Sequence, residues 1–283
     1  MTVFAVVGEV HGAMHAMVEQ VEECARRARV TVERVLQVGD FEPHRSPADV
    51  AVMHGPSRYR ECGDFRDFVS GRASFPWPVL FIGGNHEPWP WLDSLGDHEA
   101  LAPGCRFLGR SGVVDWRGRR IGGLSGIYRE ESYRDPRPAP NPKLSNRTWI
   151  DFRESDVLAL LDEAPVDILL LHDWPAGVLA EVDAEAVNAK LRASRRNPGN
   201  PVARELVERL EPGFVFCGHV HHRYERRLRL PSGACCDVIA LDRIRPELSR
   251  SRRHARRGPL ENPSVVLVEL TTVAGIPTMQ RVR

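Results

Sequence analysis

Pro78-Val79-Leu80-Phe81-Ile82-Gly83, running straight into Gly84-Asn85-His86-Glu87, is the stretch whose reading decides the fold. A short apolar run rich in β-branched and aromatic residues predicts a buried strand over 78–83. The polar tetrapeptide behind it places an amide, an imidazole and a carboxylate at the carboxyl end of that strand. Open α/β sheets bind their ligands at such ends.

The same pattern recurs along the chain. Residues 2–7 read as a strand ending before Glu9-Val10-His11, and residues 34–38 as one ending at Gly39-Asp40. Residues 166–171 run into His172-Asp173, and residues 214–217 into Gly218-His219-Val220-His221. Met14, Met17, Val18, Val21, Cys24, Ala25 and Ala28 recur at helical spacing and predict a core-facing helix over about 13–28. Helices also fit 154–163 and 201–210, with Pro201 acceptable in a first turn. Val113 to Trp116, a turn at Arg117-Gly118 and a strand through Ile121 form a hairpin, and Val265 to Leu270 reads as a closing strand. Strands alternating with helices predict a layered α/β fold, and the hairpins make its sheets mixed.

Carboxylates, imidazoles and one amide oxygen suit a pair of divalent cations. Asp40 is the natural bridge, because it follows a strand in a glycine-led turn. Glu9 and His11, two residues apart, can reach one ion. His219 and His221 share that spacing and can each serve a different ion, while Asn85 and His172 supply further donors. Each fragment alone has an ordinary alternative: a Gly-Asp after a strand is usually a turn, and a lone strand-end histidine is usually structural. The five together in this order outweigh those alternatives.

The 283 residues are 42% hydrophobic and 27% charged with a net charge of +1, the balance of a globular chain with no overall field for nucleic acid or membrane. The only lysines are Lys143 and Lys190, so arginine supplies nearly all positive charge. The six cysteines form no Cys-x-x-Cys pair and read as thiols in a reducing compartment. The N-terminal apolar run is too short for a signal or a membrane span, which predicts a cytoplasmic protein with no membrane partner.

The order Glu9-x-His11, Gly39-Asp40, Gly84-Asn85-His86-Glu87, His172 and Gly218-His219-x-His221 resembles the calcineurin-like metallophosphoesterases. The resemblance implies their layered fold, mixed β-sheets flanked by helices, and two divalent ions, with manganese, iron and zinc all suitable. It assigns Glu9, His11, Asp40 and His221 to the first ion, and Asp40, Asn85, His172 and His219 to the second. His86 becomes the phosphate contact and general acid, and Glu87 and Asp173 the groups that orient the imidazoles. Longer pieces resemble the RNA lariat debranching enzymes: Pro56-Ser57-Arg58-Tyr59-Arg60, Phe81 to Glu87, Ile121 to Tyr128, Leu171-His172-Asp173-Trp174-Pro175, Gly199-Asn200-Pro201 and Ala240-Leu241-Asp242. Those enzymes typically place cysteine, and the wider superfamily aspartate, where this chain has Glu9.

The resemblance implies a phosphodiesterase acting on a nucleic-acid or nucleotide diester, 2′,5′ linkages and RNA included. The alternatives are a phosphomonoesterase for small molecules or phosphoproteins, and a non-catalytic RNA- or protein-binding relative. A catalytic domain over 1–245 would contain a substrate loop at 129–152 offering Tyr133, Arg134, Arg137, Lys143, Arg147 and Trp149 to phosphates and unpaired bases; its alternative is a solvated proline-rich loop. Residues 246–262, with five arginines between 250 and 257, read as a basic surface loop, and 263–283 as the closing strand and tail of the same domain.

Overall fold

A computed structural model describes residues 2–55, 60–96, 99–139, 146–249, 262–273 and 276–282. Its thirteen described strands are β1 (Thr2–Val7), β2 (Val32–Gln37), β3 (Val79–Phe81), β4 (Ala100–Ala102), β5 (Cys105–Phe107), β6 (Ser111–Trp116), β7 (Arg119–Leu124), β8 (Ile168–Leu171), β9 (Phe214–Cys217), β10 (Tyr224–Arg229), β11 (Cys235–Ala240), β12 (Val265–Val273) and β13 (Ile276–Arg281). They form two sheets, ordered β13-β12-β1-β2-β3-β5-β4 and β10-β11-β9-β8-β7-β6. Both are mixed: β1, β2 and β3 run parallel, as do β7, β8, β9 and β11, while β12 lies antiparallel to β1.

The period-two geometry of a strand explains how two sheets and their helices share these residues. Phe4 and Val6 of β1, Leu36 of β2, Ile168 and Leu170 of β8 and Phe216 of β9 point into the layer between the sheets. Their neighbours Val3, Ala5 and Val7 pack outward under the helix Met14–Ala28, whose buried face carries Met14, Met17 and Val21. On the second sheet, Leu169, Leu171 and Val215 meet the helices Glu154–Asp162 and Pro201–Leu210 through Leu160, Leu206 and Val207. The result is four layers, helix, sheet, sheet and helix. Because both faces of the central strands are buried, they read in sequence as unbroken apolar runs instead of alternating ones.

The expected strands and helices are present with small shifts of their ends. The β10–β11 hairpin and the helix Glu181–Asn188 are additions, since polar residues such as Glu225, Arg226 and Arg227 conceal the period of β10. Pro56 to Tyr59, Lys143 and the arginines between 250 and 257 lie outside the described residues.

The helix Pro201–Leu210 starts at Asn200, whose side-chain oxygen accepts from the Ala203 N–H at 2.6 Å while its amide donates to Asp173 Oδ2 at 3.1 Å. Asn200→Ala is expected to cost about 1–2 kcal/mol by loss of the cap. Asn200→Ser keeps a cap oxygen without facing Asp173 with a second carboxylate, and should recover part of that loss. Urea unfolding of the three proteins checks the order.

Candidate metal centre

Five strand ends converge. Glu9 and His11 follow β1, Asp40 follows β2, Asn85 and His86 follow β3, His172 follows β8, and His219 and His221 follow β9. The turns are tight enough that His11, Asp40, Glu42, His219 and His221 all take positive φ, between 47° and 64°. Such left-handed backbone is costly for a residue with a side chain, and it clusters at functional sites.

The strand ends approach so closely that two positions exclude a side chain. A Cβ on Gly39 would lie 2.4 Å from His172 Nδ1, and one on Gly84 would lie 2.2 Å from Asp40 Oδ1. Backbone bonds lock the register: Val10 and His11 donate to the Asp40 carbonyl at 3.1 and 2.9 Å, and Gly218 donates to the His172 carbonyl at 3.0 Å. Gln37, fully buried, bridges two loops by donating to the carbonyls of Gly8 and Gly39.

The donors gather around two points. At the first, Glu9, His11 and His221 present ligand atoms all within 4.8 Å of one another. His11 Nε2 is 3.2 Å from Glu9 Oε2 and 3.1 Å from His221 Nε2, and His221 contacts the same Glu9 oxygen. At the second, His172 Nε2 lies 3.3 Å from Asn85 Oδ1, 3.5 Å from Asp40 Oδ1 and 3.2 Å from His219 Nδ1. His86 stands beside Asp40: its backbone N–H donates to Oδ1 at 2.9 Å, and its ring Nε2 is 4.0 Å from Oδ2.

The electrostatics favour bound cations. Burial alone would raise the Glu9 and Asp40 carboxyls. The surrounding imidazoles outweigh it, holding Glu9 well below the usual carboxylate range and Asp40 at about 2. Both carboxylates are buried, yet Glu9 Oε1 and Asp40 Oδ2 accept no hydrogen bond from any described residue. An orphaned buried carboxylate oxygen is expensive unless a cation takes it, so this donor set fits divalent metal. The extra methylene of Glu9 has room because it faces Gly218, where a Cβ would fall 3.0 Å from Oε1.

Of the two supporting carboxylates, Glu87 accepts the backbone N–H groups of Phe41, Glu42 and Gly84 at 2.8, 2.9 and 3.1 Å, and so braces the loop that carries Asp40. Asp173 receives the Tyr128 N–H at 2.8 Å and lies 3.8 Å from His219 Nε2. A carboxylate that holds a candidate ligand at shorter range is Glu42, 2.7 Å from His11 Nδ1. Sequence reasoning passed over Glu42; its place just after Gly39-Asp40 was the available signal.

Several described residues of the loop at 129–152 are tied down. Trp149 is 1% exposed and packs in the core, so it cannot stack on a base. Arg137 pairs with Asp156, and Tyr133 packs on Tyr128 and Phe152. Arg134, with its side chain 85% exposed, and Arg147 remain on the surface.

Nitrogen and oxygen donors converging from the carboxyl ends of two facing sheets define a metallophosphoesterase. The sequence model of the calcineurin-like phosphoesterases matches residues 2–223, and the chain belongs to that family, whose centre holds two divalent metals. It is 32% identical over 252 residues to the lariat debranching enzyme of Arabidopsis thaliana, covering 86% of this chain and 60% of that one. It is 34% identical over 228 residues to the human lariat debranching enzyme, covering 78% and 42%. The chain thus spans about half the length of these relatives. Among solved structures, a Staphylococcus aureus candidate 5′-nucleotidase in complex with α-ketoglutarate shares the fold at a TM-score of 0.51 and 13% identity, over 99% of this chain and 53% of that one.

Two predictions follow from this geometry. Glu9→Asp and Glu9→Cys should shift the ratio of bound manganese, iron and zinc, measured by elemental analysis after reconstitution; unchanged ratios would remove Glu9 from the ligand set. Burial, then the charge of Asp40, pushes Glu87 up to about 8 against the pull of its three N–H donors. A raised acid favours folding below its unfolded value of ~4.3 and loses that contribution as pH rises through the folded one. Glu87→Gln should therefore cost metal-free protein about 1–3 kcal/mol at pH 4 and less at pH 8.5, read from denaturant midpoints.

Proposed function

We propose that the protein is a two-metal phosphodiesterase acting on nucleic-acid diesters, with the 2′,5′ linkage of branched RNA as its leading substrate. The observation that carries the reading is His86: it stands beside Asp40 of one donor cluster and its ring is 5.6 Å from that of His11 in the other, yet it belongs to neither, the position of a proton donor to a leaving oxygen. The names of the curated relatives support the linkage, and Arg134 and Arg147 on the surface of the neighbouring loop suit phosphate recognition.

Glu9, His11, Asp40 and His221 would hold one ion, and Asp40, Asn85, His172 and His219 the other. When bound, the pair supplies Lewis acidity toward the phosphoryl oxygens and lowers the pKa of a water. The donor set admits manganese, iron or zinc. In the reaction, water adds to phosphorus and gives up one proton to solvent, the bond to the leaving oxygen breaks with its electron pair on that oxygen, and the proton of His86 passes to it; His86 then regains a proton from solvent. Glu87 and Glu42 keep Asp40 and His11 in place throughout. All six cysteines are free, which supports a cytoplasmic site of action. Among the described residues, no helix is long and apolar enough to cross a membrane.

The test compares 2′,5′-branched RNA, linear 3′,5′ RNA and a phosphomonoester with each metal. Branched RNA should turn over fastest, and His86→Ala should lower kcat by roughly 10²–10⁴. Preference for the monoester would make the protein a phosphatase. A wild type inert on all three and free of stoichiometric metal would make it a binding relative.

A further inference from the structure

His86 is held differently from the other histidines of the site. His11 Nδ1 is fixed by Glu42 at 2.7 Å, and His172 Nδ1 by the Val38 carbonyl at 2.9 Å. His86 Nδ1 is buried and has no hydrogen-bond partner among the described residues. What lies against that side of the ring is the bare backbone of Gly55. A Cβ there would fall 3.0 Å from His86 Cε1 and 3.1 Å from Nδ1, and Gly55 has the positive φ of 158° that side chains seldom adopt. The Gly55 carbonyl is in turn held by Arg60, whose Nε donates to it at 3.2 Å. Arg60 is exposed.

We propose that Gly55, latched by Arg60, is the positioning element that aims His86 at the leaving oxygen; this rests on the reading of His86 as the proton donor. With no hydrogen bond at Nδ1 among the described residues, the ring takes its direction from Asp40 at Nε2 and from the shape around it. His11, whose ring centroid is 5.6 Å away at 73°, and Gly55 both border it. A misplacement of about 1 Å costs on the order of 10²-fold in rate, and a methyl group at position 55 demands a shift of the ring or of the backbone.

The experiment compares wild type, Gly55→Ala, Arg60→Ala and Arg60→Lys on two diesters. One releases a nitrophenolate, which needs no proton. The other, a dinucleotide, releases an alkoxide, which does. Gly55→Ala should lower kcat on the dinucleotide by roughly 10²-fold, with KM and the nitrophenyl rate within about twofold. Arg60→Ala should show a smaller loss of the same selectivity, and Arg60→Lys, whose ammonium can still donate to the Gly55 carbonyl, should retain more of it. Equal losses on both diesters would make Gly55 merely structural, and a wild-type-like Arg60→Ala would remove the latch; either overturns the proposal. Crystal structures of wild type and Gly55→Ala, superposed on Glu9, His11 and His221, give a readout independent of turnover. The His86 ring should be displaced, and an unmoved ring overturns the proposal. A wild type that cleaves neither diester would instead count against the diesterase reading.

Discussion

The contact among Gly39, Gly84 and His172 is the constraint on which the rest of the structure depends. Two strands of one sheet and one of the other meet there with no room for a single Cβ on either glycine. This draws the carboxylate of Asp40 within 3.5 Å of an imidazole that arrives on the opposite sheet. The two-sheet architecture is thereby coupled to the chemistry: the inter-sheet core of Phe4, Leu36, Leu170 and Phe216 sets the separation that the site requires.

Around that contact the molecule accepts local costs. Five residues of the site hold left-handed backbone, each worth on the order of 1–3 kcal/mol of strain. The opposing contributions are of a kind that a rigid scaffold supplies. Three N–H groups converge on Glu87, Gln37 spans two loops, and Trp174 Nε1 donates to the Gly218 carbonyl at 2.9 Å. Buried polar groups with satisfied partners rigidify their surroundings. Glu9 Oε1 and Asp40 Oδ2 stay without a hydrogen bond among the described residues, as oxygens that a cation would satisfy.

Much of this was legible in the sequence, because strands buried on both faces announce themselves as apolar runs and their ends carry the donors. The strands before Glu9, Asp40, Asn85, His172 and His219 could be read that way. Residues whose role depends on three-dimensional neighbours could not. Trp149 lies in a polar, proline-rich segment and looked available for stacking, yet the bridge between Ile127 and Asp151 folds it into the core. Glu87 sits beside a histidine in sequence but reaches backbone N–H groups across the turn. Glu42 belongs to no expected pattern, and only the left-handed turn at Asp40 brings it to His11.

The pairing of β1 with β12 has a consequence during synthesis. Thr2–Val7 leaves the ribosome well before its partner, yet one of its flanks is covered by Val265–Val273, and the Gly8 N–H bonds the Ser264 carbonyl. At ~5–20 residues per second, roughly 13–50 s separate the two partners. For that interval β1 presents an apolar strand with one open edge, the kind of surface on which chains aggregate. The Glu9 loop, whose carbonyl accepts from Ile244 at 2.7 Å, cannot close before that segment emerges. Assembly of the metal centre is thus a late event in the life of the nascent chain.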